Sequence, residues 1–183
     1  MQAVLLAPDP GNDGGGAVAD VIFGDYDPGG KLPFTYPRSP GYLPTYDALL
    51  WGDAVASTFN PQWEFGRGLS YTSFEYSDLV VPKSFDGTGV LDVSVRIRNT
   101  GRHAGSETAI LFMRDEVASL TPAAKRVKRF SKVFLARGES EKLTFTLTRE
   151  DLEFVGADLR RVAEPGDFTV SVGGLSARFE LIQ

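Results

Sequence analysis

The 183-residue sequence predicts a mostly β protein. The expected fold is an immunoglobulin-like sandwich of the fibronectin type III kind, preceded by a partial α/β element (strand–helix–strand) and a long aromatic linker. Three observations predict it. From about Gly68 to the end, apolar and polar residues alternate with period two in run after run, the mark of half-buried strands. The first 37 residues instead hold a glycine-rich turn and one apolar helical stretch. Residues 38–67 follow no period and are rich in Pro, Tyr and Trp. The expected domains are therefore 1–37, a remnant α/β unit; 38–67, a linker; and 68–183, the sandwich.

At the N-terminus, "AVLLA" (Ala3–Ala7) reads as a short buried strand. The turn "PDPGNDGG" leads into "GAVADVIFG", where Val18, Val21, Ile22 and Phe23 form an apolar face and Gly24 supplies a C-terminal stop. A second strand, "KLPFTYP", follows. Apolar strands flanking a helix suggest a right-handed βαβ crossover in a parallel sheet. A strand–helix–strand unit of this size cannot bury both strand faces unaided, so it must fold back, pair with a second copy, or fray.

The linker carries Tyr42, Tyr46, Trp51, Phe59, Trp63 and Phe65. Flexible tethers are made of Gly and Ser, so this segment reads as a crossing held down by aromatic anchors. In the sandwich, Leu91, Val93, Val95 and Ile97 point one way and Asp92, Ser94, Arg96 and Arg98 the other. Leu143, Phe145 and Leu147 alternate in the same manner, as do Phe168, Val170 and Val172, and then Ala177, Phe179 and Leu181. Adding "SFEYSDLVV", "ETAILFMRD" and "VKRFSKVFLA" brings the total to about seven strands, as an immunoglobulin-like sandwich requires.

Composition narrows the function. The net charge of −5 argues against nucleic acid as a partner, since phosphate binding rests on clustered positive charge. "KRVKRFSK" is a strand with solvated charges. The absence of cysteine removes disulfides and thiolate metal sites. No apolar run approaches the ~18–20 residues of a membrane span, and no basic residue precedes the first apolar run, so a signal peptide is not expected within this sequence.

Several local patterns invite sharper readings. Gly14, Gly16 and Ala19 match a dinucleotide-binding spacing, but no second βαβ unit accompanies them, and glycines at a tight turn explain them better. Asp9, Asp13 and Asp20 imitate a calcium loop without its ligand at the third position or its closing Glu. His103 stands alone in a turn. Adjacent carboxylates such as Glu150 and Asp151 do not make an acid/base pair, because strand neighbours face opposite ways.

Longer motifs point to a family. "PGNDGGGAVADVIFGDYDPGGKLPFTYP" resembles the close of the α/β sandwich domain of glycoside hydrolase family 3, and "FNPQWEFGRGLSYTSFEYSDL" resembles that family's entry into its fibronectin III-like domain. "VRIRNTGRHAGSETAILFMRD", "KRVKRFSKVFLARGESEKLTFTLT" and "VAEPGDFTVSVGG" are similar to successive strands of that domain, in order along the whole chain.

The resemblance implies a three-domain β-glucosidase type, retaining hydrolysis of terminal β-D-glucosides or xylosides, and no metal or organic cofactor. In the family the nucleophilic Asp and the acid/base Glu lie upstream of every motif matched here, so no catalytic residue is assigned and the chain alone is expected to be inactive. The resemblance also implies a missing N-terminal catalytic portion as partner, a second copy being the alternative. A periplasmic or secreted location follows only if the family's pattern holds, and the start at Met1 is compatible with a truncated gene product.

By the same resemblance Asn12 and Asp13 fall near the mouth of an active site. Trp51 and Trp63 are candidate platforms for a β-linked carbohydrate, since aromatic faces suit apolar sugar faces, although clamping of the linker is the favoured reading of both. A carbohydrate-binding or protein-interaction module acting without hydrolysis is the alternative function.

Overall fold

The computed structural model describes residues 3–41, 45–47 and 59–182. The elements are α1 (Gly14–Phe23), β1 (Phe74–Val80), β2 (Ser84–Phe85), β3 (Leu91–Asn99), β4 (Gly105–Asp115), β5 (Arg126–Leu135), β6 (Ser140–Leu147), β7 (Phe154–Val155), β8 (Arg161–Val162), β9 (Gly166–Val172) and β10 (Leu175–Leu181), with a 3₁₀ turn at Arg149–Leu152. Every strand expected from alternation after Gly68 is present; β2, β7 and β8, two residues each, were too short to show a period.

Two sheets face each other. One has the order β1-β3-β6 and the other β2-β10-β9-β4-β5. All main pairings are antiparallel, and β2 joins β10 in parallel. The alternating residues fill the gap. Leu91, Val93, Val95 and Ile97 of β3 and Leu143, Phe145 and Leu147 of β6 are buried against Ala109, Leu111 and Met113 of β4, Phe168, Val170 and Val172 of β9, and Phe179 and Leu181 of β10. Phe168 and Phe179 lie opposite each other in register, their rings stacked 5.5 Å apart.

The N-terminal part differs from expectation. The helix forms where predicted, and Gly24 ends it in the left-handed conformation, its N–H reaching the carbonyls of Asp20 and Val21. Neither flanking strand joins a sheet. Ala3–Ala7 lies outside any strand, and Val4, Leu5 and Leu6 are nearly half exposed rather than buried. The segment "KLPFTYP" folds back on the linker instead of lying parallel to Ala3–Ala7. Leu32 N–H donates to Arg67 O and Gly66 N–H to Leu32 O, and Tyr36 exchanges hydrogen bonds with Gln62 and Trp63.

Among the described residues no βαβ crossover forms, and the predicted apolar helix face is only partly covered: Val18 and Val21 are half-buried, while Ile22 is 62% and Phe23 81% exposed. The reason is physical. A strand exists through the partner that takes its N–H and C=O groups, and an apolar face stays buried only against a second layer. No described segment of this chain supplies either.

Candidate functional site

The site is assembled at the junction where residues 25–36 cross the outer face of β4. Along β4 the residues alternate between core and outside, so Ser106 and Thr108 are left facing the crossing chain and Ile110 and Phe112 facing Phe65 and Gly66 beyond it. Asp27 is its anchor. Its Oδ1 accepts from Ser70 Oγ at 2.8 Å and from Tyr71 N–H at 2.7 Å, and its Oδ2 from Ser106 N–H at 3.1 Å. Gly29 follows, its carbonyl accepting from Thr108 Oγ1 at 2.8 Å; a Cβ there would meet Ser106 at 2.6 Å, so the close approach requires glycine. Tyr71 Oη donates to Val21 O at 2.6 Å and ties the helix to the same place.

Lys31 then reaches into the end of the sandwich. Its Nζ lies 2.9 Å from Oε2 of Glu107, whose Oε1 accepts from Tyr76 Oη at 2.8 Å. Glu107 occupies a core-facing position of β4, so Lys31 and Tyr76 are its compensation for burial. Burial first, and then the adjacent Glu107 charge, push the Tyr76 phenol far above its ordinary range, so it stays a donor. Beyond this knot, Tyr46 stacks on Phe65 at 4.3 Å, Phe65 meets Phe112 edge-on at 6.0 Å, and Lys125 caps the Phe112 ring at 4.8 Å.

The second knot is Asn99 at the end of β3. It is completely buried, and all four of its amide hydrogen-bonding positions are used. Nδ2 donates to the carbonyls of His103 and Leu135, and Oδ1 accepts from Thr72 Oγ1 and Gly101 N–H, all within 2.8–3.0 Å.

The sequence-predicted residues lie elsewhere. Asn12 and Asp13 are exposed in the turn before α1, and Asp13 caps the helix by position without a side-chain hydrogen bond. Of the nucleotide-like glycines only Gly14 is sterically required, its Cβ position falling on Pro10, while Gly16 faces open space. Trp63 is half-buried against Tyr36, with ring centroids 4.9 Å apart. Trp51 and Tyr42 lie outside the described residues. No hydrogen bond or ring contact among the described residues links Asn12 or Asp13 to Trp63. Asp27, Lys31, Glu107 and Asn99 went unsuspected in the sequence. The glycines beside Asp27 and Asn99 were the available signal, since each marks a close backbone approach.

At the opposite end of the sandwich Asp115 is partly buried and makes no ion pair among the described residues. Burial first, and then Glu164 and Glu116, raise its pKa to about 6, opposed by the N–H of Val117. A carboxyl whose pKa is raised on folding contributes stability below its unfolded value of 3.8 that is lost as pH rises through about 6. Asp115→Asn is expected to raise the melting temperature at pH 7.5 and leave it unchanged at pH 4. The gain is about 1 kcal/mol once solvent screening of this half-exposed group is allowed for. Equal shifts at the two pH values would contradict the assignment.

The geometry defines a class: a β-sandwich of two facing sheets, across whose outer face an N-terminal segment is fastened by partly buried polar ties. Comparison with known proteins gives the family. Residues 1–71 match the glycosyl hydrolase family 3 C-terminal domain, and residues 107–176 match the fibronectin type III-like domain. The chain is 35% identical to the periplasmic beta-glucosidase of Salmonella typhimurium across 99% of its own length and 26% of that protein, and 40% identical to a beta-xylosidase of Formosa agariphila across 91% and 24%.

Among solved structures it superposes on a β-glucosidase from Listeria innocua with a TM-score of 0.87 at 31% identity, covering 95% of this chain and 27% of that one. A β-glucosidase from Erythrobacter marinus gives 0.88 at 37%, with 94% and 24% covered. The chain belongs to glycoside hydrolase family 3, corresponds to the C-terminal region of its members, and spans about a quarter of the length of these relatives.

Proposed function

We propose that this chain is the C-terminal, non-catalytic part of a β-glucosidase-like hydrolase, and that it completes and supports a catalytic portion carried upstream. Residues 1–37 are then the closing piece of the catalytic α/β layer, 38–67 the linker, and 68–183 the supporting sandwich. The parent reaction is retaining hydrolysis of terminal β-D-glucosides or xylosides; beta-glucosidase and beta-xylosidase are the names the relatives carry.

One observation carries the proposal: among the described residues the buried core contains no hydrophobic residue before Phe85, while Val4, Leu5, Leu6, Ile22, Phe23, Tyr26, Phe34 and Tyr36 all stand exposed. Apolar surface in that amount marks an interface. The sandwich extends it. Phe130 and Phe134 project outward from β5, 74% and 67% exposed, and Phe134 lines the same groove as Ile22, Phe23 and Tyr26. Lys132, between the two phenylalanines, is 3.4 Å from Tyr26 Oη. The partner of this face is the upstream catalytic portion, which in the relatives makes up about three quarters of the protein.

Asn12 and Asp13 lie on the exposed turn of that layer, free to approach a substrate held by the upstream portion. Trp63 serves first to clamp the linker, a role supported by the Tyr36–Trp63 contact, and the same role is proposed for Trp51 by its place in the linker sequence. Retaining hydrolysis needs two carboxyl groups ~5–5.5 Å apart across the sugar, and no residue of this chain is assigned to either.

The purified chain is expected to release no aryl β-glucoside. Mixed with the upstream three quarters of a family 3 β-glucosidase lacking its own C-terminal region, it is expected to restore hydrolysis. Turnover by the chain alone, abolished by a carboxylate substitution, would overturn the proposal.

A further inference from the structure

A cleft of about 240 Å³ opens at the end of the sandwich away from the N-terminal segment, between the end of β4, the start of β5 and the 3₁₀ turn. It plays no part in the function above. A break in the strand ladder shapes it. β4 and β5 pair Leu111 with Arg129 and then Phe112 with Val127, so Lys128 has no partner and forms a bulge. A regular strand would send Lys128 and Arg129 to opposite faces; a bulge re-aims them. Arg129 makes a two-pronged ion pair with Asp151, at 2.8 and 2.6 Å. Burial alone would raise the Asp151 pKa, but Arg129 and the Thr148 N–H outweigh it and hold the pKa low. Lys128 faces the same Asp151 but makes no ion pair or hydrogen bond through its ammonium among the described residues.

The wall is therefore unusual in charge. Asp115, Glu153, Arg126 and Lys128 line it with Asp151, and none of the first four makes an ion pair among the described residues, although Asp151 lies close enough to Lys128 to favour its charge. The Arg129–Asp151 pair cancels itself, and the carboxylates of Asp115 and Glu153 balance the cations of Arg126 and Lys128. The floor is apolar, made by buried Met113, Leu152 and Phe168 with Phe154 beside them. Pockets for drug-sized ligands run to roughly 300–1,000 Å³, so this one holds about a single ring.

We propose that this cleft binds one neutral polyhydroxylated ring of monosaccharide size. Hydroxyls can donate to Asp115 and Glu153 and accept from Lys128 and Arg126 at once, while the C–H face of the ring covers the aromatic floor. A free anion meets two carboxylates, and a free cation meets two cations; neither satisfies both halves of the wall.

The test is an amide NMR titration of the full chain with D-glucose and D-xylose, with acetate and ethylammonium as charged comparators. Sugar is expected to shift the amides of Asp115, Lys128, Glu153 and Phe154 with a millimolar Kd. Lys128→Met and Asp115→Asn are each expected to weaken this at least about tenfold, a loss of about 1.4 kcal/mol. Glu153→Gln, on a part-exposed side chain, keeps the test decisive should either variant misfold. No shift with sugar, shifts centred on Trp63 and Tyr36, unchanged affinity in the variants, or equal binding of acetate or ethylammonium would each overturn the proposal.

Discussion

Asn99→Asp is expected to destabilise the sandwich by about 3–4 kcal/mol, lowering the melting temperature by roughly 10 °C. The change removes one NH₂ group and enlarges nothing. Its cost comes from two carbonyls, His103 O and Leu135 O, that lose their donor and then face a buried carboxylate. Thr72 Oγ1 and Gly101 N–H still have an acceptor, so the damage is confined to the donor side. The carboxylate would be expected to titrate with a raised pKa, which makes the loss larger at pH 8 than at pH 5. Thermal unfolding at both values reads it directly. A variant as stable as the parent would show that Asn99 does not bind the β3 end to the following turn as described.

Lys31→Met is expected to cost about 3 kcal/mol and to free the N-terminal segment from the sandwich. Glu107 keeps only the Tyr76 hydroxyl as partner, and a buried carboxylate with half its compensation removed is the expensive case. Two readouts separate this from general damage. Limited proteolysis should cut within the first seventy residues while leaving the strands intact. The double variant Lys31→Met with Glu107→Gln should recover most of the loss, because it removes the stranded charge as well as its partner. Additive losses in the double variant would argue that Lys31 and Glu107 act independently.

The contrast between what was legible in the sequence and what was not follows from range. The strands of the sandwich were legible because their cause is local: Leu91-Val93-Val95-Ile97 shows its period within seven residues, and both sides of the pleat are decided by that period. The ties were not. Lys31 and Glu107 are 76 positions apart, and Asp27 and Ser106 are 79. Nothing in either neighbourhood announces its partner except glycines whose purpose emerges only in three dimensions.

Ala3–Ala7 departs from its expected burial for the complementary reason. An apolar run signals surface that favours burial, but whether it is buried depends on a second layer, and here Val4 to Leu6 have none. The same holds for Phe130 and Phe134. Their place in an alternating strand was visible, but which face would meet solvent depended on the Lys128 bulge and on how far the N-terminal segment reaches across β5.

The measurement that bears most directly on the account is amide hydrogen exchange of this chain, alone and with the upstream portion of a family 3 β-glucosidase. Alone, β3, β4 and β9 should be strongly protected, while residues 3–7 and 14–24 exchange fast. With the upstream portion added, protection should appear at 3–7, along α1 and across 130–134. Unchanged exchange at all three, under conditions where the two parts together hydrolyse an aryl β-glucoside, would contradict it.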